Sequence, residues 1–367
     1  MTATTSATER TAAADRRVAA GLLRALAAET FAACGLPETD AAEMGRLMVE
    51  ADLIGSDAHG IFRLPQYAPW LRAGLINPRA NIRVEKRSPA AALVDGDNGM
   101  GHLVMAFAAR TAVEIARESG VAWVGAHRSN HAGAGALYPA IPVAHGMVGI
   151  YAAVSSANHM APWGGAEALM GTNPIAIGIP AGEEPPIMLD MATSVASFGK
   201  IRTHALAKKP MPEGWVVNRN DGKPLTDASR IKEGVLLPIG GYKGSGLALI
   251  IGLLCGPLNN AAFGRDVREF SAAASGESNT GQTIIALDIA RFLPLDAFRA
   301  EIDRHIRELR ASARLPGVDA IRIPGEQAHR RRQDRERNGV PLTAALVAEL
   351  DKLAQSLGLR TLAARSG

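Results

Sequence analysis

Residues Ala91-Ala92-Leu93-Val94, a helical run from Val104 to Glu118, and then Val121-Ala122-Trp123-Val124 form the stretch on which the fold of this chain turns. Short apolar segments separated by a helix-length run read as strand, helix, strand. Upstream the hydrophobic period is helical. Val18, Leu22, Leu23, Leu26 and Phe31 recur at helical spacing, and Gly35 closes that helix. A second helix opens near Pro37, buries Met44, Leu47, Met48 and Ala51, and stops at Gly55. Downstream, Val148–Ala152, Ile175–Ile179, Ile187–Asp190 and Gln282–Ile289 read as further strands. The Lys-, Pro- and Asn-rich stretch from Lys208 to Arg230 reads as a long surface loop, and Ser245 to Asn259 as a buried apolar helix. Beyond Leu295 the pattern is helical again, and Leu346, Leu350, Leu353 and Leu357 line one face of a last helix with Thr343 as N-cap.

Composition removes several function classes. The chain has 367 residues, 47% of them hydrophobic and 21% charged, with 40 basic residues against 36 acidic ones. The charges are interleaved, so nothing demands nucleic acid. The densest basic run, His329 to Arg337, includes Asp334 and Glu336 and reads as a solvated helix. Gly246 to Leu258, the longest apolar stretch, is shorter than the roughly 20 residues a bilayer span needs. Met1 to Ala14 lacks the apolar core of a signal peptide, so a cytoplasmic protein is expected. Two cysteines, Cys34 and Cys255, make no disulfide framework and read as packing thiols.

The chemistry-bearing motifs are loops at element ends. Ser56-Asp57-Ala58-His59-Gly60 sits just past a helix end, where His59 can act as an acid because histidine titrates near neutrality. Arg63, four residues on, has the planar fork suited to a carboxylate, although a structural ion pair would use it equally well. Ser129-Asn130-His131-x-Gly133 packs three polar side chains into a tight loop. Leu189-Asp190-Met191-Ala192-Thr193-Ser194 ends an apolar strand on a carboxylate and two hydroxyls. Gly240-Gly241-Tyr242-Lys243-Gly244-Ser245-Gly246 opens an apolar helix, and its amides with Lys243 suit an anion such as a phosphate. No G-x-G-x-x-G follows a strand, and no Walker A motif, nucleophile elbow or Cys-x-x-Cys is present. His127 and His131 have helical metal-ligand spacing, but the residues around them read as loop, so no metal site is expected.

Taken in order, Asp57–Arg63, Ser129–His131, Pro162–Gly165, Gly171-Thr172-Asn173-Pro174, Leu189–Ser194, Gly214-Trp215, Pro238–Leu247 and Pro324-Gly325-Glu326 closely resemble the malate/L-lactate dehydrogenase family that is unrelated to the Rossmann lactate dehydrogenases. The resemblance runs from about residue 16 to near the end of the chain. Its relatives include ureidoglycolate, sulfolactate and malate dehydrogenases, 2,3-diketogulonate reductase and piperideine-2-carboxylate reductases. It implies an α/β (α+β) fold in which a non-Rossmann dinucleotide-binding α/β domain is inserted in a discontinuous helical domain. The expected division is a disordered tail at 1–15, helical parts at 16–80 and 318–367, and the cofactor-binding domain at 81–317.

The same resemblance implies hydride transfer between NAD or NADP and a small 2-hydroxy or 2-oxo acid. The alternative is NADPH-dependent reduction of cyclic 2-imino carboxylates. It makes His59 the proton donor, with His131 as a rival for that role, and places Asp190 near the reacting centre. Arg63 would bind the substrate carboxylate, with Thr172 beside it. Ser155, Leu189, Met191, Thr193, Ser194, Tyr242, Lys243, Gly325 and Glu326 would contact the dinucleotide, and the protein would be a homodimer. Many relatives carry Ser before the histidine, where this chain has Ala58.

Overall fold

The structure, a computed structural model, describes residues 16–268 and 276–365, so the expected tail at 1–15 lies outside the described residues. The chain opens with a short strand, β1 (Arg16–Val18), and two helices, α1 (Ala20–Ala33) and α2 (Glu38–Leu53). As expected, a left-handed glycine follows each helix, Gly35 at φ +100° and Gly55 at φ +85°. Two single 3₁₀ turns, Asp57–His59 and Ile61–Arg63, then lead into α3 (Leu64–Arg72).

The middle of the chain builds a seven-stranded sheet. Its first strands are β2 (Arg83–Ser88) and β3 (Ala91–Asp95); α4 (Gly101–Ser119) then crosses to β4 (Val121–Ser129). After the short α5 (Ala140–Ala144) come β5 (Met147–Ala153), β6 (Ile175–Ile179) and β7 (Ile187–Met191). Next are α6 (Phe198–Leu206), the small strands β8 (Val216–Asn218) and β9 (Gly234–Leu236), α7 (Tyr242–Cys255) and β10 (Thr280–Asp288). The strand order is β2-β3-β4-β10-β5-β6-β7. Only β3 and β4, the pair joined through α4, run parallel; every other neighbour is antiparallel. A long crossover helix is what a parallel pair requires. The sheet is therefore mixed α/β, without the successive parallel crossovers of a doubly wound fold.

Small side chains bring α4 close to the sheet. Ala106, Ala108, Ala109, Ala112 and Ala116 are fully buried in one core with Val124, Ala126, Ile284 and Ala286. A second core joins α1, α2 and α3 to the end of the chain, which comprises α8 (Leu295–Ala311), α9 (Glu326–Asn338), β11 (Val340–Leu342), α10 (Ala344–Ser356) and α11 (Leu362–Arg365). There Leu23, Phe31, Met48 and Leu64 meet Leu342, Leu350 and Leu362. The ends are also stitched by β1 pairing antiparallel with β11. Thr343 caps α10 as expected, its Oγ1 accepting the Leu346 amide at 3.3 Å.

Three expectations need correction. Lys208–Arg230 is not simply a surface loop, because Met211, Val216, Leu225 and Ala228 are buried in a third core with Met160, Ile201 and Leu236. The apolar helix begins at Tyr242, earlier than expected, since Gly240 (φ +57°) and Gly241 (φ +64°) alone make the entering turn. That helix is also not buried. Ala248, Ile251 and Cys255 face the protein, while Ile250 is 54% exposed and Leu249, Leu253 and Leu254 are exposed as well. Cys34 and Cys255 are both buried free thiols, as expected. The basic run on α9 is a solvated helix that also docks on the N-terminal part, with Arg332 on Glu50 at 2.7 Å and Asp334 on Arg17 at 2.9 Å.

Candidate active site

The turn that carries His59 is held from two sides. Asp52, on α2 and 2% exposed, accepts the Ile61 amide at 2.8 Å through Oδ2. Arg335, from α9, pairs with Asp57 and donates to the Asp52 carbonyl. Burial raises the Asp52 carboxyl to about 8, with the Asp57 charge adding to the effect and the Ile61 amide opposing it.

His131 arrives from the other side, one residue beyond Asn130 at the end of β4. Its motif partners are scaffolding. Ser129 Oγ donates to Gln282 Oε1 at 2.8 Å, Asn130 Nδ2 donates to the Gly99 carbonyl at 2.8 Å, and Gln282 Nε2 donates to the Asn130 carbonyl at 2.9 Å. Arg128 sits at φ +45° and ties the segment to Asp95, Asp97 and Glu277. These contacts fix the backbone and leave the imidazole to face His59.

The two rings stack with centroids 5.4 Å apart and 21° between planes. Two groups absent from the expected set complete the cluster. Tyr67, on α3, places its hydroxyl 2.6 Å from His131 Nδ1. His102, in the first turn of α4 and fully buried, packs edge-on against Tyr67 at 5.6 Å. Tyr67 stands four residues after Arg63 as Arg63 does after His59, a spacing that hints at a shared face; His102 has no local signal.

Arg63 donates Nε to the Ala58 carbonyl and Nη1 to Gln66 Oε1, each at 2.8 Å. Among the described residues it has no acidic partner. Its charge, and still more the burial, disfavour imidazolium nearby: His59 is lowered to about 4, His102 to about 3, and His131 lies well below the usual histidine range. The expectation that His59 titrates near neutrality is thus corrected. Tyr67, fully enclosed, is pushed up and stays a phenol.

A second group of expected residues knits β5, β6 and β7 to the glycine-rich turn. Ser155 Oγ and Thr172 Oγ1 are 3.0 Å apart, and Thr193 donates both its amide (2.9 Å) and its hydroxyl (3.0 Å) to the Thr172 carbonyl. Asn173 is fully buried, accepting from the Ser155 amide and donating to the Ala248 carbonyl on α7; the sequence had shown only a turn there. Ser194 donates to the Ala196 carbonyl and bridges to Pro238, and the Ile239 amide donates to the Thr193 carbonyl. Asp190 accepts the Ala136 amide at 2.9 Å and so ties β7 to the loop leaving His131. Its side chain keeps accessible surface, yet crowding around the carboxyl raises its pKa.

At the start of α7, Tyr242 and Lys243 are exposed. The N-cap is Gly241, so no side chain caps the helix there, and Lys243 pairs with nothing among the described residues. Gly325 (φ +90°) lies against Met188 beside Leu189 on β7; a β-carbon there would come within 2.8 Å of the Met188 backbone. Met191 closes that strand, partly buried. Glu326 is already committed, to Arg330 at 2.6 Å, to Arg310 at 3.5 Å and to the Ile323 amide at 3.2 Å. Among the described residues no group of three or more His, Cys, Asp or Glu could hold a metal, and no helix is long and apolar enough to cross a membrane.

The chain as a whole is similar to known proteins. A malate dehydrogenase from Pyrococcus horikoshii is 34% identical over 336 residues, covering 89% of this chain and 92% of the relative. The solved sulfolactate dehydrogenase from Methanocaldococcus jannaschii superposes with a TM-score of 0.87 at 35% identity, covering 94% of this chain and 98% of that one. A Δ1-pyrroline-2-carboxylate/Δ1-piperideine-2-carboxylate reductase from Pseudomonas putida is 32% identical, covering 92% and 95%. The model of the malate/L-lactate dehydrogenase family matches residues 18–351, a span that contains the imidazole cluster, the β5–β7 lattice and the glycine turn alike, and this chain belongs to that family.

Proposed function

We propose that the protein is an oxidoreductase that moves a hydride between a nicotinamide dinucleotide and a small 2-hydroxy or 2-oxo acid. The observation that carries this reading is Arg63, a cation that has no acidic partner among the described residues and lies beside the stacked His59 and His131. A guanidinium in a partly desolvated setting binds a carboxylate strongly, and an acid next to it reaches the oxygen on the adjacent carbon. Arg63 holds the carboxylate; His59 gives or takes the proton on the 2-oxygen; the packed helices around Tyr67 and His102 keep water out.

The residues near α7 fit a dinucleotide. The helix N-terminus has no side-chain cap, Lys243 has no partner among the described residues, and Gly240 leaves open backbone, which together suit a phosphate. Lys243, Tyr242 and the turn at Gly325 would hold the cofactor with Ser155, Leu189, Met191, Thr193 and Ser194 along its length, and Asp190 near the reacting end. The bound nicotinamide supplies the hydride or accepts it.

We further read the protein as a cytoplasmic homodimer. The exposed apolar side of α7, with Leu247, Leu249, Ile250, Leu253 and Leu254, continued by Leu258 in the turn after it, is the kind of surface that a second copy covers.

The test is a panel of 2-oxo acids and cyclic 2-imino acids, each with NADH and NADPH, following the loss of nicotinamide absorbance. Turnover of 2-oxo acids supports the reading. Turnover restricted to cyclic imines favours the second reading, to which the Pseudomonas putida relative points. Absence of turnover across the panel overturns both.

A further inference from the structure

Tyr67 is 1% exposed, and His131 Nδ1 is the one described partner of its hydroxyl. The hydroxyl cannot swing elsewhere. Its ring is wedged between Trp70 (5.9 Å, 60°) and the edge of His102 (5.6 Å, 80°), and His102 is itself seated against Gly133, where a β-carbon would come within 2.4 Å of its Nε2.

The contact has room for one proton. If His131 carried its hydrogen on Nδ1, that N–H would donate to the phenol oxygen and the phenol hydrogen would be left buried without an acceptor. Folded proteins avoid such orphaned donors. If the phenol donates, one hydrogen bond satisfies both groups, and a neutral His131 must carry its hydrogen on Nε2.

Resting on the reading of the site as a 2-oxo acid reductase centre, we infer that Tyr67 is a positioning residue that locks His131 as the Nε2–H tautomer, so that His131 meets the substrate oxygen as a hydrogen-bond donor while His59 exchanges the proton. The stacking of His131 on His59 at 5.4 Å fixes the ring plane, and the phenol fixes which nitrogen holds the hydrogen. Burial, and the charge of Arg63 nearby, keep His131 neutral. A neutral imidazole held this way polarises a carbonyl without losing its own proton.

The test is nitrogen NMR on the full-length protein with ¹⁵N-labelled histidine. The chain has nine histidines, so His131 is assigned as the resonance pair lost in His131→Gln. In the wild type, Nδ1 is expected at the position of an unprotonated nitrogen accepting a hydrogen bond, and Nε2 at that of a protonated one. In Tyr67→Phe both resonances should move toward an averaged mixture of tautomers. A hydrogen on Nδ1 in the wild type overturns the inference, as does a His131 spectrum unchanged by Tyr67→Phe. The wild-type spectrum decides the tautomer even where Tyr67→Phe folds poorly. A kinetic arm accompanies it: Tyr67→Phe should lower kcat by roughly tenfold or more, short of the 10²–10³-fold typical of deleting an oxyanion donor outright, with cofactor KM unchanged. The spectra need no substrate, so failure of the tautomer lock and failure of the dehydrogenase reading are separately visible.

Discussion

Asp52 lies so close beneath Gly60 that a β-carbon at position 60 would come within 2.0 Å of its Oδ1. Gly60 has a negative φ of −92°, and the space that Asp52 occupies beneath it is what demands glycine. Gly60→Ala should therefore push the His59 turn off Asp52, costing about 1–3 kcal/mol as overpacking does. Denaturant melts and kcat should fall together; an unchanged pair would show that the turn is free to relax.

The raised Asp52 carboxyl gives a pH signature to stability. Its folded value near 8 lies above the ordinary 3.8, so its proton is held more tightly in the folded state. The corresponding stability is fully present below about pH 4 and is lost as pH rises toward 8. Asp52→Asn should remove that downward slope between pH 5 and 8 in urea titrations. A wild-type and variant with parallel pH dependence would place the carboxyl outside this account.

The lowered His59 value makes a kinetic forecast. Oxidation of a hydroxy acid needs neutral imidazole, so kcat/KM for oxidation should stay flat through pH 6.5 and fall only toward about 4. Reduction needs the protonated form, so its kcat/KM should decline as pH rises through that same region. A bound carboxylate offsets Arg63, so the limb in kcat should lie at higher pH than the limb in kcat/KM. Limbs centred on 6.5 in both directions would contradict the burial argument.

Arg63→Lys keeps the charge but loses the planar grip, along with the bonds to Ala58 and Gln66. Substrate kcat/KM should drop roughly tenfold or more, by the 1.5–3 kcal/mol of a charged hydrogen bond, while cofactor affinity holds. Unaltered substrate kinetics would make Arg63 a structural residue.

Lys243→Ala should weaken the reduced dinucleotide by roughly ten- to a hundredfold in fluorescence titration, on the same energy scale. The side chain is exposed and has no partner among the described residues, so the thermal melt should not change. Equal affinity in wild type and variant would remove it from the site.

Ile250→Asp places a charge on the exposed side of α7. Sedimentation velocity should show a shift from dimer to monomer at micromolar protein, and an unshifted dimer would send the interface elsewhere.

Element types were legible because their periods are strong. The β3–α4–β4 unit and the α1 and α2 boundaries follow from apolar spacing and from glycines that take positive φ. The order of strands was not legible, since β10 enters between β4 and β5 from far along the chain and only long-range register puts it there. The exposed side of α7 misled for a related reason: a helix apolar on all sides reads as buried, whatever covers it. In the site, His59, Arg63 and His131 announced themselves in polar loops next to glycines. Tyr67 left only its four-residue spacing from Arg63, and His102 and Asp52 left no signal, because each lies within a helix and acts across to another element.

The pairing of β1 with β11 sets a timetable. Arg16–Val18 find their partner only when Val340–Leu342 exist, and the core around Leu23, Phe31 and Met48 is completed by Leu350 and Leu362. During synthesis the first helices must wait, unsealed, for the last segment to leave the ribosome, while the central sheet already has all of its strands. The His59 turn, clamped by Arg335, is thus among the last parts to set. A nascent chain stalled before residue 335 would have every strand of the central sheet, but its His59 turn would lack the clamp that Arg335 provides on Asp57 and on the Asp52 carbonyl.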